Sequence, residues 1–177
     1  MQKVDVYLET DSVYQGKTYR KCGYVLSTVL RSGNEWTREY FGNYTGTYHQ
    51  TVLRVIDEAL SRMNFPVEIC VHTQDIYAAS RLSKLEKMVE DGWCDAKGNL
   101  IKNAQEWQQV YRNVHKFSEP HKVSAISGKH NSSMWLQEMM KKDECKRIIG
   151  TGLEHETRPE SGNNGVSGNV CPLWSEI

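Results

Sequence analysis

The segment TYHQTVLRVIDEALSRM, residues 47–63, has the apolar pattern of a helix that packs against a core. Its apolar residues recur at three- and four-residue intervals: Val52, Leu53, Val55, Ile56, Ala59, Leu60 and Met63. This spacing places them on one broad face of an α-helix. The segments on either side have different patterns, so the helix separates two blocks of the chain.

The block before the helix is predicted to be three strands. Residues 4–8 alternate between apolar and polar side chains, and residues 22–30 are rich in residues that favour strands. A turn that contains Gly33 leads to a third strand-like segment, residues 35–46. Short connections of this kind favour an antiparallel meander.

The block after the helix is predicted to alternate between strands and helices. In order, it contains a strand at 67–73, a helix from 75 to 85 or beyond, a turn-rich connection at 90–103, a helix at 104–117, a strand at 121–127 and a helix at 132–149. The whole order predicts one α/β domain over residues 1–145, with a five-stranded mixed sheet flanked by helices. Residues 146–177, rich in Gly, Ser and Asn, are expected to form a flexible or loosely docked tail.

Cysteine usage and the lack of export signals predict a cytoplasmic protein. The five cysteines are scattered, and their spacing fits neither a zinc knuckle nor a CxxC redox site. Reduced thiols are therefore expected, with Cys22 and Cys70 packed as small hydrophobic residues in strands. No apolar run has the length of a membrane span, so no membrane partner is expected.

The charge balance argues against a protein whose whole surface is suited to binding nucleic acid. Lys and Arg total 22, Asp and Glu total 22, and the net charge is zero. Phosphate neutralisation supplies most of the affinity of nucleic-acid-binding proteins, and it usually requires a basic excess. Nucleic acid is therefore expected as a partner only through a local patch.

Three stretches resemble bacterial-type ribonuclease H. The residues that carry the resemblance are Thr47, Ala59 and Leu60 in the first helix, Thr73 and Tyr77 after the fourth strand, and Gly92, Trp93, Lys102, Asn103 and Trp107 in the connection and helix that follow. The resemblance covers about residues 3–142. It implies a ribonuclease H-like fold whose first three strands are antiparallel.

The catalytic carboxylates of that family are largely missing from this sequence. The family holds two Mg²⁺ ions with four carboxylates, which Mg²⁺ requires as hard oxygen ligands. The matching positions here are Glu9 on the first strand, Val52 on the first helix, Gln74 after the fourth strand, and Gln137 or Glu138 on the last helix. No cofactor is therefore expected, and Glu9 is the candidate ligand if a metal binds. Asp57 and Glu58 are expected on the solvated face of the first helix.

The positions at which the family contacts its substrate are also changed. Tyr48 and His49 stand where the family has paired Asn, and Trp93 and Lys102 lie in its substrate-handling region. His130 lies in the loop where the family often has a mobile His, although a lone loop His is more often simply solvated. Among the other aromatic residues, Trp107 and Trp135 are expected in the core.

Three functions remain open from the sequence. The favoured one is a catalytically degenerate, non-enzymatic module that binds or inhibits another protein, in the manner of a phage or mobile-element product that acts on nucleic-acid machinery. The alternative is a divergent Mg²⁺-dependent endoribonuclease that cleaves RNA in RNA–DNA hybrids. Its relocated carboxylates would be Glu9, Asp11, Asp75 and Glu138. The third is nucleic-acid binding without cleavage.

Overall fold

The computed structural model describes the backbone of residues 1–150 and the side chains of residues 1–142. The five strands are β1 (Gln2–Thr10), β2 (Thr18–Val29), β3 (Glu35–Gly46), β4 (Val67–Thr73) and β5 (Lys122–Ser127). The five helices are α1 (Tyr48–Ser61), α2 (Ile76–Leu82), α3 (Leu85–Glu90), α4 (Ala104–Val114) and α5 (Ser133–Gly150). The expected tail, from residue 151 onward, lies outside the described residues, and α5 continues past residue 145.

The strands form one mixed sheet in the order β3-β2-β1-β4-β5. The first three strands are antiparallel neighbours, and β1 pairs with β4 and β4 with β5 in parallel. A parallel pair requires a crossover connection, which α1 and the later helices supply. The predicted five-stranded mixed α/β architecture is confirmed.

The two faces of the sheet have different compositions because side chains alternate along each strand. The inner face carries Val4, Val6 and Leu8 of β1 with the matching apolar residues of β4, and these are buried with α1 in the core. The outer face carries Asp5, Tyr7 and Glu9 of β1 and Cys70, His72 and Gln74 from β4 and its C-terminal end. The helix α5 contacts β1 and β2 on the outer side.

The helix α1 has a complete capping box at its N-terminus. The Thr47 side chain accepts a hydrogen bond from the Gln50 backbone at 3.3 Å, and the Gln50 side chain accepts one from the Thr47 backbone at 3.1 Å. At the other end, the Lys116 ammonium donates to the carbonyls of Leu60 and Ser61. Both ends of the central helix are therefore satisfied by specific side chains.

Several local expectations are corrected by the structure. The predicted single helix after β4 is two short helices, and β2 begins at Thr18, four residues earlier than expected. Trp107 is fully buried as predicted, but Trp135 is 39% exposed, so its assignment to the core is wrong. Trp135 lies on the side of α5 that faces Phe41 at the edge of the sheet. Cys22 is buried as expected, whereas Cys70 is only half-buried on the outer face.

In the described part of the chain, no helix combines the length and the apolar character that a membrane crossing requires.

A buried carboxylate surrounded by neutral donors

Glu9 is the centre of the candidate site and lies at the C-terminal end of β1. Only 4% of the residue is exposed to solvent. Its partner across the sheet is Gln74, which follows β4 directly and places its amide nitrogen 2.9 and 2.8 Å from the two carboxylate oxygens. Because a carboxylate can only accept, the amide of Gln74 must present its NH₂ group to Glu9. Two of the positions that the resemblance matches to family carboxylates are therefore in direct contact.

The N-terminal part of α5 supplies two further donors to the same carboxylate. The Ser133 hydroxyl donates to Glu9 Oε1 at 2.6 Å, and the Gln137 amide lies 3.4 Å from Oε2 while donating to the Thr10 carbonyl at 2.7 Å. Between Gln137 and Glu138, it is thus Gln137 that reaches the site. Glu138 is exposed to solvent.

His130 lies beside the same carboxylate. Its Nε2 is 3.1 Å from the Leu8 carbonyl and 3.3 Å from Glu9 Oε1, and its side chain is 4% exposed. Its Nδ1 is buried and has no hydrogen-bond partner among the described residues. The interpretation of His130 as a solvated loop residue is therefore wrong. It is packed between the end of β1 and the start of α5.

Asp75 follows Gln74 directly, but it contacts His49 and the start of α2. It is 1% exposed, and it caps α2 through a hydrogen bond from the Ala78 backbone at 3.1 Å. Its other oxygen is 2.7 Å from Nδ1 of His49. Because neighbouring residues point to opposite faces, Gln74 contacts Glu9 while Asp75 turns toward α1.

The remaining acidic candidates lie in other surroundings. The carboxylate of Asp11, an exposed residue, accepts from the Lys21 backbone at 3.0 Å. Glu58 pairs with Arg62 along α1. Asp57 was expected to be solvated but is half-buried against α4, where Asn113 donates to it at 2.5 Å. Burial there raises the pKa of Asp57, although the Asn113 hydrogen bond acts against that rise.

Val52 occupies the remaining position of the predicted set and is fully buried. It belongs to the apolar core between α1 and the inner face of the sheet. Its side chain offers no oxygen ligand, and a charged residue at such a position would require a compensating charge.

The residues at the predicted substrate-contact positions make contacts within the protein. Tyr48 is 6% exposed, and burial, followed by the charges of Asp75 and Glu9, raises the pKa of its phenol. The ring of His49 packs 4.5 Å from that of Tyr77, whose hydroxyl donates to the Lys102 carbonyl at 2.8 Å. The contacts of Tyr77 with His49 and with the Lys102 carbonyl therefore link α1, α2 and the connection before α4.

Trp93 and Lys102 flank that connection. Trp93 has a left-handed backbone (φ 60°), and its half-buried ring makes an edge contact with Tyr111 of α4. The side chain of Lys102 is exposed to solvent. Trp93 is therefore a packing residue of the loop, whereas the ammonium of Lys102 is available at the surface.

A buried arginine near the site was not predicted from the sequence. Arg20 is fully buried and donates to the carbonyls of Ser12, at 2.9 Å, Gly46, at 3.3 Å, and Tyr14. It therefore ties the β1–β2 loop to the junction between β3 and α1. Within the polar stretch TYRK, nothing distinguishes this residue from its solvated neighbours.

The sheet order and the crossover helices define a ribonuclease H-like α/β fold, and solved structures share it. LC9-RNase H1, described as a type 1 RNase H with the type 2 active-site motif, matches with a TM-score of 0.62 at 16% identity, over 78% of this chain and 70% of its own. The PFV RNase H domain matches with a TM-score of 0.54 at 12% identity, over 81% and 90% of the two chains. A foamy viral protease-reverse transcriptase, solved in complex with an RNA/DNA hybrid, matches with a TM-score of 0.54 at 10% identity, over 78% of this chain and 18% of its own.

Sequence comparison gives the family. A curated ribonuclease H from Herminiimonas arsenicoxydans is 30% identical over 112 residues, which cover 62% of this chain and 73% of that protein. No protein-family profile matches the chain. The chain belongs to the ribonuclease H family.

Proposed function

We propose that this protein is a catalytically inactive member of the ribonuclease H family that acts by binding another protein. The observation that carries the proposal is the surroundings of Glu9. The neutral groups of Gln74, Ser133 and Gln137 approach the two carboxylate oxygens of Glu9. The resemblance to ribonuclease H implies metal ions at this place.

The chemistry of this cluster does not fit a pair of Mg²⁺ ions. Each ion needs hard oxygen ligands, and two neighbouring dications need several negative charges between them. The amide NH₂ group of Gln74 donates to Glu9 and carries partial positive charge. It therefore occupies space beside the carboxylate that a bound cation would need. The matching position on α1 is the isopropyl group of Val52. No catalytic step through metal ions is therefore derived for this chain.

The relocated-carboxylate alternative receives little support from the geometry. Asp75 is already engaged by His49 and by the start of α2, and Glu138 is exposed rather than directed at Glu9. Asp11 accepts from the backbone of β2. Asp11 and Asp75 are thus engaged by groups other than Glu9, and Glu138 is exposed.

A protein partner is favoured over a duplex by two observations. The net charge is zero, so the chain has no overall basic excess with which to neutralise phosphates. In addition, Tyr48 is buried and His49 pairs with Asp75, so both residues at these substrate-contact positions are engaged within the protein. By analogy with other enzymes that have lost their catalytic residues, such a module would suit a phage or mobile element that blocks nucleic-acid machinery.

A hybrid-cleavage assay tests the catalytic part of the proposal. The purified full chain is incubated with an RNA–DNA hybrid and Mg²⁺ or Mn²⁺, beside the Glu9→Gln variant. We expect no cleavage by the wild type or by Glu9→Gln. Metal-dependent cleavage by the wild type that Glu9→Gln abolishes would overturn the proposal, provided that circular dichroism shows both chains folded.

A binding assay at several salt concentrations tests the partner class. We expect no measurable affinity for a hybrid or a DNA duplex even at low salt. Affinity that is high at low salt and falls steeply as salt is added would instead identify a nucleic-acid-binding protein.

A further inference from the structure

Three potential metal ligands of different chemistry lie together on the outer face of the sheet. Asp5 and Cys70 are direct partners in the parallel register of β1 and β4, and His72 is two residues beyond Cys70 on the same face. A carboxylate oxygen, the thiol sulfur and a ring nitrogen of these residues all lie within 4.8 Å of one another. The group was not predicted because Asp5 is far from Cys70 and His72 in the sequence.

The position of His72 is fixed by its neighbours. Its Nε2 lies 2.8 Å from Asp5 Oδ1, and its ring stacks on Tyr7 with centroids 4.5 Å apart. The ring of His130 approaches it edge-on at 6.5 Å. The stacked Tyr7 ring holds the imidazole in one orientation, which reduces the reorganisation needed for it to act as a ligand.

The Asp5 carboxylate gives the group a negative charge that attracts a cation. The Asp5 side chain is 43% exposed, and that of His72 is 17% exposed. The group is therefore reachable from solvent while its ligand atoms remain partly shielded from water.

The donor set selects the kind of metal. Thiolate and imidazole are the ligands of Zn²⁺ and similar ions, whereas Mg²⁺ prefers oxygen atoms only. Zn–N, Zn–O and Zn–S bonds in tetrahedral geometry place ligand atoms about 3.3–3.7 Å apart. Binding therefore requires the His72–Asp5 pair to open from 2.8 Å and the wider separations within the group, up to 4.8 Å, to close.

We propose that Asp5, Cys70 and His72 form a binding site for a zinc-class divalent cation, with the fourth coordination position open to solvent. On binding, the Cys70 thiol loses its proton to solvent and the sulfur coordinates as the thiolate, while the proton that His72 Nε2 shares with Asp5 is exchanged through solvent to Nδ1, which frees Nε2 and the carboxylate to coordinate. The site is separate from the Glu9 cluster, because Asp5 precedes Glu9 by four residues, or about 13 Å of strand. It does not depend on whether the family's own site is active.

Cobalt titration of the full chain under reducing conditions tests the proposal. Co²⁺ replaces Zn²⁺ in such sites, and a thiolate ligand gives an intense near-ultraviolet charge-transfer band. We expect one Co²⁺ per chain with that band, displacement by one equivalent of Zn²⁺, and no displacement by excess Mg²⁺. Asp5→Asn and His72→Gln should each weaken binding at least about tenfold, since loss of even a supporting partner of a ligand costs that much.

Matched cysteine variants make the result specific to this site. Cys70→Ser should abolish the band, whereas Cys94→Ser and the double change Cys145→Ser with Cys171→Ser should retain it. Absence of the band in the folded wild type at saturating Co²⁺, or its persistence in Cys70→Ser, would overturn the proposal. The cleavage assay above is unaffected by either outcome, so the two proposals fail independently.

Discussion

At the scale of single residues, Gln74 shows how replacing one oxygen by an NH₂ group changes a site. A glutamate of the same shape at this position would face Glu9 with negative charge, whereas the amide donates to both of its oxygens. Hydrogen bonds to a charged group are stronger than those between neutral groups. Gln74 therefore stabilises a buried charge that the fold would otherwise have to neutralise in another way.

Gln74→Glu is expected to lower the free energy of unfolding by about 2–4 kcal/mol at neutral pH. The change removes two charge-assisted hydrogen bonds and places two carboxylates in contact in a buried position. Urea denaturation at pH 7 measures the loss. Gln15→Glu, at an exposed loop position, is the control and should change stability by less than about 0.5 kcal/mol. Equal stability of Gln74→Glu and wild type would contradict the hydrogen-bonding role described here.

The residue scale also shows what could be inferred from the sequence about the site. The resemblance to ribonuclease H through Thr73 and Tyr77 matched Gln74 to a family carboxylate, as Glu9 was matched to another, and the structure places the two side chains in contact. Ser133 and Gln137 could not be assigned in the same way. Their approach depends on how α5 rotates and docks on the sheet, and α5 lacks a clear apolar stripe that would fix that rotation.

At the scale of elements, the strands and long helices follow from periodicity, and the exceptions have local causes. The strand β4 has the predicted bounds, and α1 begins at Tyr48, within the segment predicted to be helical. The break between α2 and α3 at Ser83 and Lys84 has neither proline nor glycine to mark it. The early start of β2 follows from pairing with β3, which reaches back to Thr18 opposite Gly46. Tertiary pairing of this kind overrides local propensity.

Thr47→Ala is expected to destabilise the protein by about 1 kcal/mol through loss of the α1 capping box. The hydroxyl of Thr47 accepts from the Gln50 backbone and cannot be replaced by a methyl group. Thermal and urea unfolding of the variant measure the effect. Thr47→Ser retains the hydroxyl and is the matched control, with stability close to wild type. If the alanine and serine variants were equally stable, the cap would contribute nothing.

At the scale of the whole molecule, one buried histidine links the start of β4 to the segment before β5. His121 is 4% exposed, and its Nδ1 accepts a hydrogen bond from the Val67 backbone at 3.1 Å. Its Nε2 is buried without a partner among the described residues. Burial, with a smaller effect from the Lys116 charge, lowers the pKa of His121 to about 4. Between about pH 4 and pH 6.5, His121 is therefore neutral in the folded state and protonated in the unfolded chain.

Because the folded pKa lies below the ordinary value of 6.5, global stability should fall as pH falls from about 6.5 to about 4. At the acid end of this range His121 lowers the free energy of unfolding by up to about 3 kcal/mol, and above about pH 6.5 it has no such effect. His121→Asn keeps an acceptor near the position of Nδ1 but cannot titrate. Denaturant unfolding between pH 4 and 7.5 should show a flatter acid limb in this variant than in wild type. Parallel curves would show that His121 does not bind the proton on unfolding.

Another consequence for the whole molecule concerns the attachment of α5. The start of this helix is fastened to β1 through the Glu9 carboxylate, and further along Lys21 of β2 donates to the Met140 carbonyl at 3.0 Å. The Glu9 carboxylate thus acts as a structural anchor for α5 in this chain. Because Gln74 and Ser133 donate to the same carboxylate, a change at either position should also alter how the start of α5 is held on the sheet.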